Sequence, residues 1–266
     1  MTIKNPLVSV CIPVYNHRKF LVQSIESVIS QSYKNIEIVI SDDHSTDGSQ
    51  EIIKHYIKKY PKLFKKARLG NTNLGVKKHL PLIKSFCSGK YVCVFSGDDL
   101  MFPNKIQTQV EWLESNDKNI FHAHYVDYIN SEGDFICQDK NISSTGKGNL
   151  RFIRSGIPAA ACSFMYINND LNFSRLMVYT QDFDLAIRVI GKSGNYKISK
   201  KILGSYRVHN ESLSSDVNIR ILLIDYLLLS YNFLRKIELI SFINLIYLAI
   251  TKFFSNKKPC YFLHRR

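Results

Sequence analysis

The 266-residue chain is 45% hydrophobic, 12% aromatic and 22% charged, which supplies enough apolar surface to offset the entropy of ordering and excludes a disordered tail protein. Its formal net charge is +14, from 36 Lys and Arg against 22 Asp and Glu; spread evenly, such an excess points to nucleic acid or an anionic surface. The excess is instead concentrated in residues 51–90, with eleven basic residues and one acidic, and in residues 231–266, with seven and one. The rest of the chain is close to neutral, and no nucleic-acid partner is expected.

Six cysteines, at 11, 87, 93, 137, 162 and 260, form no CxxC pair and no zinc-like cluster with nearby histidines. Cys11 and Cys93 lie inside apolar runs and read as buried free thiols, which implies a reducing, cytoplasmic setting. The N-terminal apolar run from Leu7 to Val14, broken by Pro13, is too short for a signal peptide or a membrane span.

In chain order, Leu7 to Val14 is a β-branched run that reads as a buried strand, and Tyr15-Asn16-His17 turns it into a helix with Leu21, Ile25, Val28 and Ile29 on one face. A second strand, Ile36 to Ile40, ends in Ser41-Asp42-Asp43-His44-Ser45-Thr46-Asp47-Gly48. A helix with Ile52, Ile53, Tyr56 and Ile57 on one face follows. The Asn- and Gly-rich loop Gly70 to Gly75 leads to a short helix, so 51–90 reads as helix and loop. A third strand, Tyr91 to Phe95, ends in Ser96-Gly97-Asp98-Asp99. Strands alternating with helices predict a mostly parallel, Rossmann-like α/β sheet flanked by helices. Beyond it come a helix near Ile106–Leu113, a strand over Phe121–Tyr128, a polar turn region at 130–149 and a helix over Asp182–Val189. Ile221–Leu234 and Leu239–Ile250 are strongly apolar and precede a basic tail.

Two acidic pairs, Asp42-Asp43 and Asp98-Asp99, each follow a buried strand, and in an open parallel sheet such strand ends face one ligand crevice. Adjacent carboxylates repel, so the pairs call for a cation or strong donors; oxygen ligation favours Mg²⁺ or Mn²⁺ over Zn²⁺. Helix capping is the plainer alternative for Asp42-Asp43 and for Gln181-Asp182-Phe183-Asp184. Tyr206-Arg207-Val208-His209 offers a cation and an imidazole suited to phosphate, or to a metal that holds phosphate.

These segments, with Val8-Ser9-Val10-Cys11-Ile12-Pro13-Val14-Tyr15-Asn16 and Asn73-Leu74-Gly75, occur in the order and approximate spacing of glycosyltransferase family 2, which the chain resembles over residues 7–215. The resemblance implies a GT-A fold and inverting transfer of a sugar from a nucleotide donor, a UDP-sugar, with Mn²⁺ or Mg²⁺. It places Pro13 and Tyr15 at the base, Asp43 on the uracil ring and Asp98 on the ribose or sugar. It makes Asp99 the metal ligand, His209 a further metal or diphosphate contact, Arg207 part of the donor site and Asp182 the catalytic base. The family often extends lipid-linked glycans at bacterial membranes, so the implied acceptor is a glycan or lipid-linked glycan of a surface polysaccharide such as O-antigen, capsule or lipooligosaccharide.

Three departures stand out. His44 replaces the usual Gly or Asn and is strained if its φ is positive. Gln181 replaces the usual Glu. Val76-Lys77-Lys78-His79-Leu80-Pro81 lacks the usual Arg-Asn pair. The expected organisation is a catalytic unit over 1–215, with a donor half over about 1–102 and an acceptor half over 103–215, and a hydrophobic, basic helical extension over 216–266. Neither apolar stretch of that extension reaches the ~20 residues that cross a bilayer. Its helices either pack on the catalytic unit or a second subunit, as in a homodimer, or lie peripherally on the inner face of the membrane. A sugar-phosphate nucleotidyltransferase would carry a Gly-rich loop after the first strand, which Tyr15-Asn16-His17-Arg18 is not. A basic binding module has no need of acidic strand ends.

Overall fold

The computed structural model describes residues 5–138, 144–154, 159–210, 212 and 218–234. In its first part β1 (Val8–Val14), α1 (Arg18–Ile29), β2 (Ile36–Asp42), α2 (Ser49–Lys59), β3 (Phe64–Leu69), α3 (Val76–Lys84) and β4 (Tyr91–Val94) alternate strictly. Then follow β5 (Leu100–Met101), α4 (Lys105–Glu114), β6 (Asn119–Ile129), β7 (Phe135–Gln138), β8 (Ser144–Lys147), α5 (Asn149–Arg154), β9 (Met165–Ile167), α6 (Gln181–Ile190), β10 (Asn195–Arg207) and α7 (Ile219–Leu234).

The strands form one sheet in the order β3-β2-β1-β4-β9-β6-β10-β5, with β7 beside β6 and β8 beside β10. β1 pairs in parallel with β2 and β4, β2 with β3, and β6 with β10; β9 is antiparallel to both β4 and β6. The run β3-β2-β1-β4 is the parallel α/β sheet that the alternation predicts, whereas β5, β7, β8 and β9 all pair antiparallel, so the whole sheet is mixed. Side chains alternate across it. Val10 and Ile12 belong to one core with Leu21 and Ile25 of α1 and Ile106 of α4, whereas Cys11 belongs to another with Ile83 of α3, Phe183 of α6 and Leu222 of α7. Both faces of β1 are thus dry, which is why its sequence is a continuous apolar run.

The sequence reading of 51–90 as helix and loop omits β3. That strand lies at the sheet edge, and its residues Lys65, Lys66 and Ala67 are exposed, so it has no apolar alternation to reveal it. Its lysines are the usual defence of an open edge against pairing with another chain. Much of the basic excess therefore sits on α2 and this edge. The polar region 130–149 contains β7 and β8 as well as turns. The thirteen residues of β10 escape the sequence reading because register shifts at Ser199/Ile202 and Ile202/Ser205 break the two-residue period.

Cys11, Cys87, Cys93 and Cys162 are free thiols. α7 buries Leu222 and Leu229 in the core that holds Phe183 of α6. Leu239–Ile250 and the basic tail lie outside the described residues. No helix among the described residues is long and apolar enough to cross a membrane.

Glu37 of β2 is buried beneath the sheet's start and accepts hydrogen bonds from the hydroxyls of Ser9 and Ser88 and the N–H groups of Ser88 and Gly89. Burial raises its pKa, but these donors outweigh it and the net shift is downward. A lowered folded-state pKa means that the contribution is complete above the unfolded value of about 4.3 and disappears as pH falls through the folded one. Glu37→Gln is therefore expected to lower stability near neutral pH by about 1–3 kcal/mol and to flatten the acid dependence. Urea unfolding at pH 7 and at pH 3 measures both.

Candidate active site

The register of the central strands brings the proposed donor residues together. Val14 lies opposite Asp42, so Tyr15 and Asp43 leave the sheet side by side. Beyond β4 the chain stays beside β1, with Phe95 N–H donating to Cys11 O and Gly97 N–H to Pro13 O, and this carries Asp98 to the same edge. Pro13 is half-buried and Tyr15 is 48% exposed, so the tyrosine ring is open for stacking.

The loops after β1 and β2 are laced together. Asn16 N–H donates to Ser45 Oγ (2.8 Å), Thr46 N–H to Asn16 Oδ1 (3.0 Å), His17 N–H to Ser49 Oγ (3.0 Å) and Arg18 N–H to Asp47 Oδ2 (2.8 Å). Asn16 and His44 both have positive φ, 55° and 68°. Asn accepts that conformation readily, whereas His44 adopts it at a cost of about 1–2 kcal/mol; the strain anticipated for this departure is present.

Asp42 and Asp43 part company at the strand end. Asp42 turns inward and accepts from Ser45 N–H and Gln50 Nε2. Asp43 holds the Asn73-Leu74-Gly75 loop, accepting from Leu74 N–H and Gly75 N–H at 2.9 Å each, with Arg68 Nη1 at 3.7 Å. Each carboxylate oxygen can take a second donor, so Asp43 retains capacity for a base N–H.

Asp98 and Asp99 also face opposite ways. His209 Nε2 donates to Asp98 Oδ2 at 3.0 Å, and His17 Nε2 is 3.8 Å from the same oxygen. Burial raises the Asp98 pKa, but the His209 hydrogen bond and the field of His17 prevail and hold it at about 2. Asp99 is enclosed, accepting from Arg207 N–H (2.9 Å) and the Cys162 thiol; burial and the charge of Asp98 push its pKa well up. The histidine that the sequence reading paired with Asp99 thus meets Asp98. Gly97 keeps this approach open: a Cβ would stand 2.9 Å from His17 Nδ1 and 3.2 Å from Leu21 Cδ1, so those side chains would have to shift.

Arg207 does not reach a donor surface. It is 2% exposed, its Nε donates to Asp98 O, its Nη1 to Asn130 O and Ser131 O, and its Nη2 to Gln23 Oε1. Its guanidinium stacks on Phe20 (4.8 Å), whose ring also meets His209 (4.7 Å). His17, Phe20 and Gln23 were missed by sequence reasoning; their three-residue spacing across the start of α1 was the available signal.

Asp182, the second residue of α6, lines a small apolar pocket with Val94, Phe121, Ala161, Phe164 and Tyr166. Val94 ends β4, four residues before Asp98. Asp184 instead pairs with Arg188 at 2.6 Å and is structural.

A model of the family described as Glycosyl transferase family 2 matches residues 9–172. The chain belongs to this family. EpsE of Bacillus subtilis is 40% identical over 120 residues, which cover 45% of this chain and 41% of EpsE; the chain spans less than half of that relative's length. Among solved structures, S. aureus TarS in complex with UDP-GlcNAc superposes with a TM-score of 0.71 at 17% identity, covering 97% of this chain and 76% of that one. The Pyrobaculum calidifontis mannosyltransferase PcManGT, in complex with GDP-Man and Mn²⁺, gives 0.63 at 15%, covering 94% and 71%. These likenesses establish the GT-A architecture, and family 2 membership sets aside the nucleotidyltransferase and the basic binding module.

Within this family 2 fold, Arg207→Lys would leave several buried carbonyls without donors, because an ammonium cannot span the four acceptors that the planar guanidinium reaches. The expected loss is about 2–4 kcal/mol of stability, read by urea unfolding, with the same loss in the presence of UDP.

Proposed function

We propose that the chain is an inverting glycosyltransferase that moves a sugar from a nucleoside diphosphate donor, UDP-linked, to a hydroxyl of a glycan acceptor. The observation that carries this reading is the ionised Asp98 paired to His209 at the strand ends, beside the exposed Tyr15 and the loop-holding Asp43. TarS, which binds UDP-GlcNAc, and PcManGT, which binds GDP-Man and Mn²⁺, support the donor class.

The donor set fits a divalent ion. Asp98 Oδ1 is buried without a hydrogen-bond partner, and the described residues contain no group of three or more metal-ligating side chains. A carboxylate and an imidazole are too few to hold Mn²⁺ or Mg²⁺ alone, but they suit an ion that takes its other ligands from substrate phosphates. Asp98 and His209 would hold it, with Asp98 in the place that the sequence reading gave Asp99. When bound, the ion neutralises charge on the departing diphosphate.

The protein's own part is to orient and to move a proton. Tyr15 offers a face for the base and Asp43 an acceptor for its N–H. Asp182 takes the proton of the acceptor hydroxyl as that oxygen bonds to the anomeric carbon and the bond to the diphosphate oxygen breaks. Attack opposite the leaving group inverts the centre without a covalent enzyme intermediate, in contrast to a retaining glycosidase. The acceptor follows from the family resemblance: a glycan, carried on lipid, in bacterial surface polysaccharide synthesis, reached from the cytoplasmic face. The outward Leu223, Ile224 and Leu227 of α7 are exposed and suit a peripheral membrane contact there.

Asp182→Asn is expected to reduce transfer by about 10²–10⁴-fold while UDP affinity stays within about twofold by calorimetry; full turnover would remove Asp182 from the base role. Asp98→Ala is expected to weaken UDP binding in Mn²⁺ by about tenfold or more, with little change in EDTA. Equal affinities for parent and variant in Mn²⁺ would reject the cation assignment.

A further inference from the structure

Asp225 of α7 lies outside the family-matched segment 9–172, yet its carboxylate is fully buried against the approach to Asp182. Oδ2 accepts the successive N–H groups of Val178 (2.9 Å), Tyr179 (2.6 Å) and Thr180 (3.2 Å), and Oδ1 accepts Val178 as well at 3.1 Å. Thr180 is the residue before α6, and its own side chain does not cap the helix; its hydroxyl turns to Met177 Sδ. The anchoring of the α6 entry therefore comes from a carboxylate 45 residues further along the chain, at the end of the helix where negative charge is favoured. A second tie runs from Asn218 N–H to the Tyr179 hydroxyl (3.1 Å). Leu222 and Leu229, buried in the core that holds Phe183 and Leu185, fix α7 itself.

We infer that Asp225 is a positioning residue for the transfer step: it clamps the 178–180 turn and so fixes where α6 begins and where Asp182 is presented. This rests on the reading of Asp182 as base. A buried carboxylate with three consecutive backbone donors is a rigid joint, because losing it would strand the buried Thr180 N–H and leave the Val178 and Tyr179 N–H groups without these bonds. Misplacement of a catalytic group by about 1 Å costs about 10²-fold in rate. The donor residues Tyr15, Asp43 and Asp98 sit on other elements, so the effect belongs to kcat and not to donor binding.

The test compares Asp225→Asn with Leu222→Ala in the full chain, measuring kcat, donor KM, UDP affinity in Mn²⁺ and melting temperature. Asp225→Asn is expected to lower kcat by about 10–100-fold with donor KM and UDP affinity within about twofold. Leu222→Ala loosens α7 without touching the carboxylate and is expected to lower the melting temperature at near-parental kcat. If Asp225→Asn keeps parental kcat, or loses UDP affinity in step with kcat, or if Leu222→Ala loses kcat equally, the positioning role is wrong. Should Asp225→Asn not fold, Asp225→Glu, which keeps the charge one methylene further out, is read by the same criteria. Asp182→Asn in parallel separates the two ideas: turnover retained there rejects the base, whereas an inactive Asp182→Asn beside a fully active Asp225→Asn rejects only the positioning role.

Discussion

The cleft end of the molecule hangs on one buried cation. Arg207 closes β10, and its side chain ties the β4 exit at Asp98, the β6–β7 turn at Asn130 and Ser131, and α1 at Gln23, while its own N–H fixes Asp99. A guanidinium out of water is tolerable only when its donors are met and opposite charge is close, and Asp98 supplies that charge. Four elements remote in sequence are thereby brought to a common joint, with Phe20 as a shared floor for Arg207 and His209.

The same joint explains how two neighbouring carboxylates do different work. Both cannot easily be ionised side by side in a dry site. Asp99 is turned inward, where burial keeps its charge off, and Asp98 is turned toward two imidazoles, where charge is stabilised. One residue secures the backbone and the other presents a carboxylate oxygen with no protein partner.

Much of this was legible in the sequence. The runs at Leu7–Val14, Ile36–Ile40 and Tyr91–Phe95 announce buried strands, with acidic pairs just beyond two of their ends, because burial on both faces writes a largely apolar signal. Asp182 at a helix start is likewise readable from the periodicity that follows it. What was hidden depends on tertiary context. An edge strand dressed in lysines has no core-facing alternation, and a bulged strand loses its period halfway. Asp98 meets His17 and His209 while Asp99 is enclosed under Arg207, a division no spacing rule records. Arg207 looked like a phosphate ligand because nothing in a linear sequence reveals that its acceptors are protein carbonyls. Asp225 stayed invisible for a related reason: its partners are backbone groups, which carry no residue signature.

The lacing of residues 16–18 to residues 45–49 has an entropic consequence. Five donors and acceptors on one loop are already engaged by the other, so the platform next to Tyr15 is ordered by the protein's own contacts. A ligand that settles there need not freeze the loops as it binds, and more of its contact energy survives as affinity. The strain held at His44 is part of the same arrangement, a fixed cost of folding that is no longer charged to each encounter.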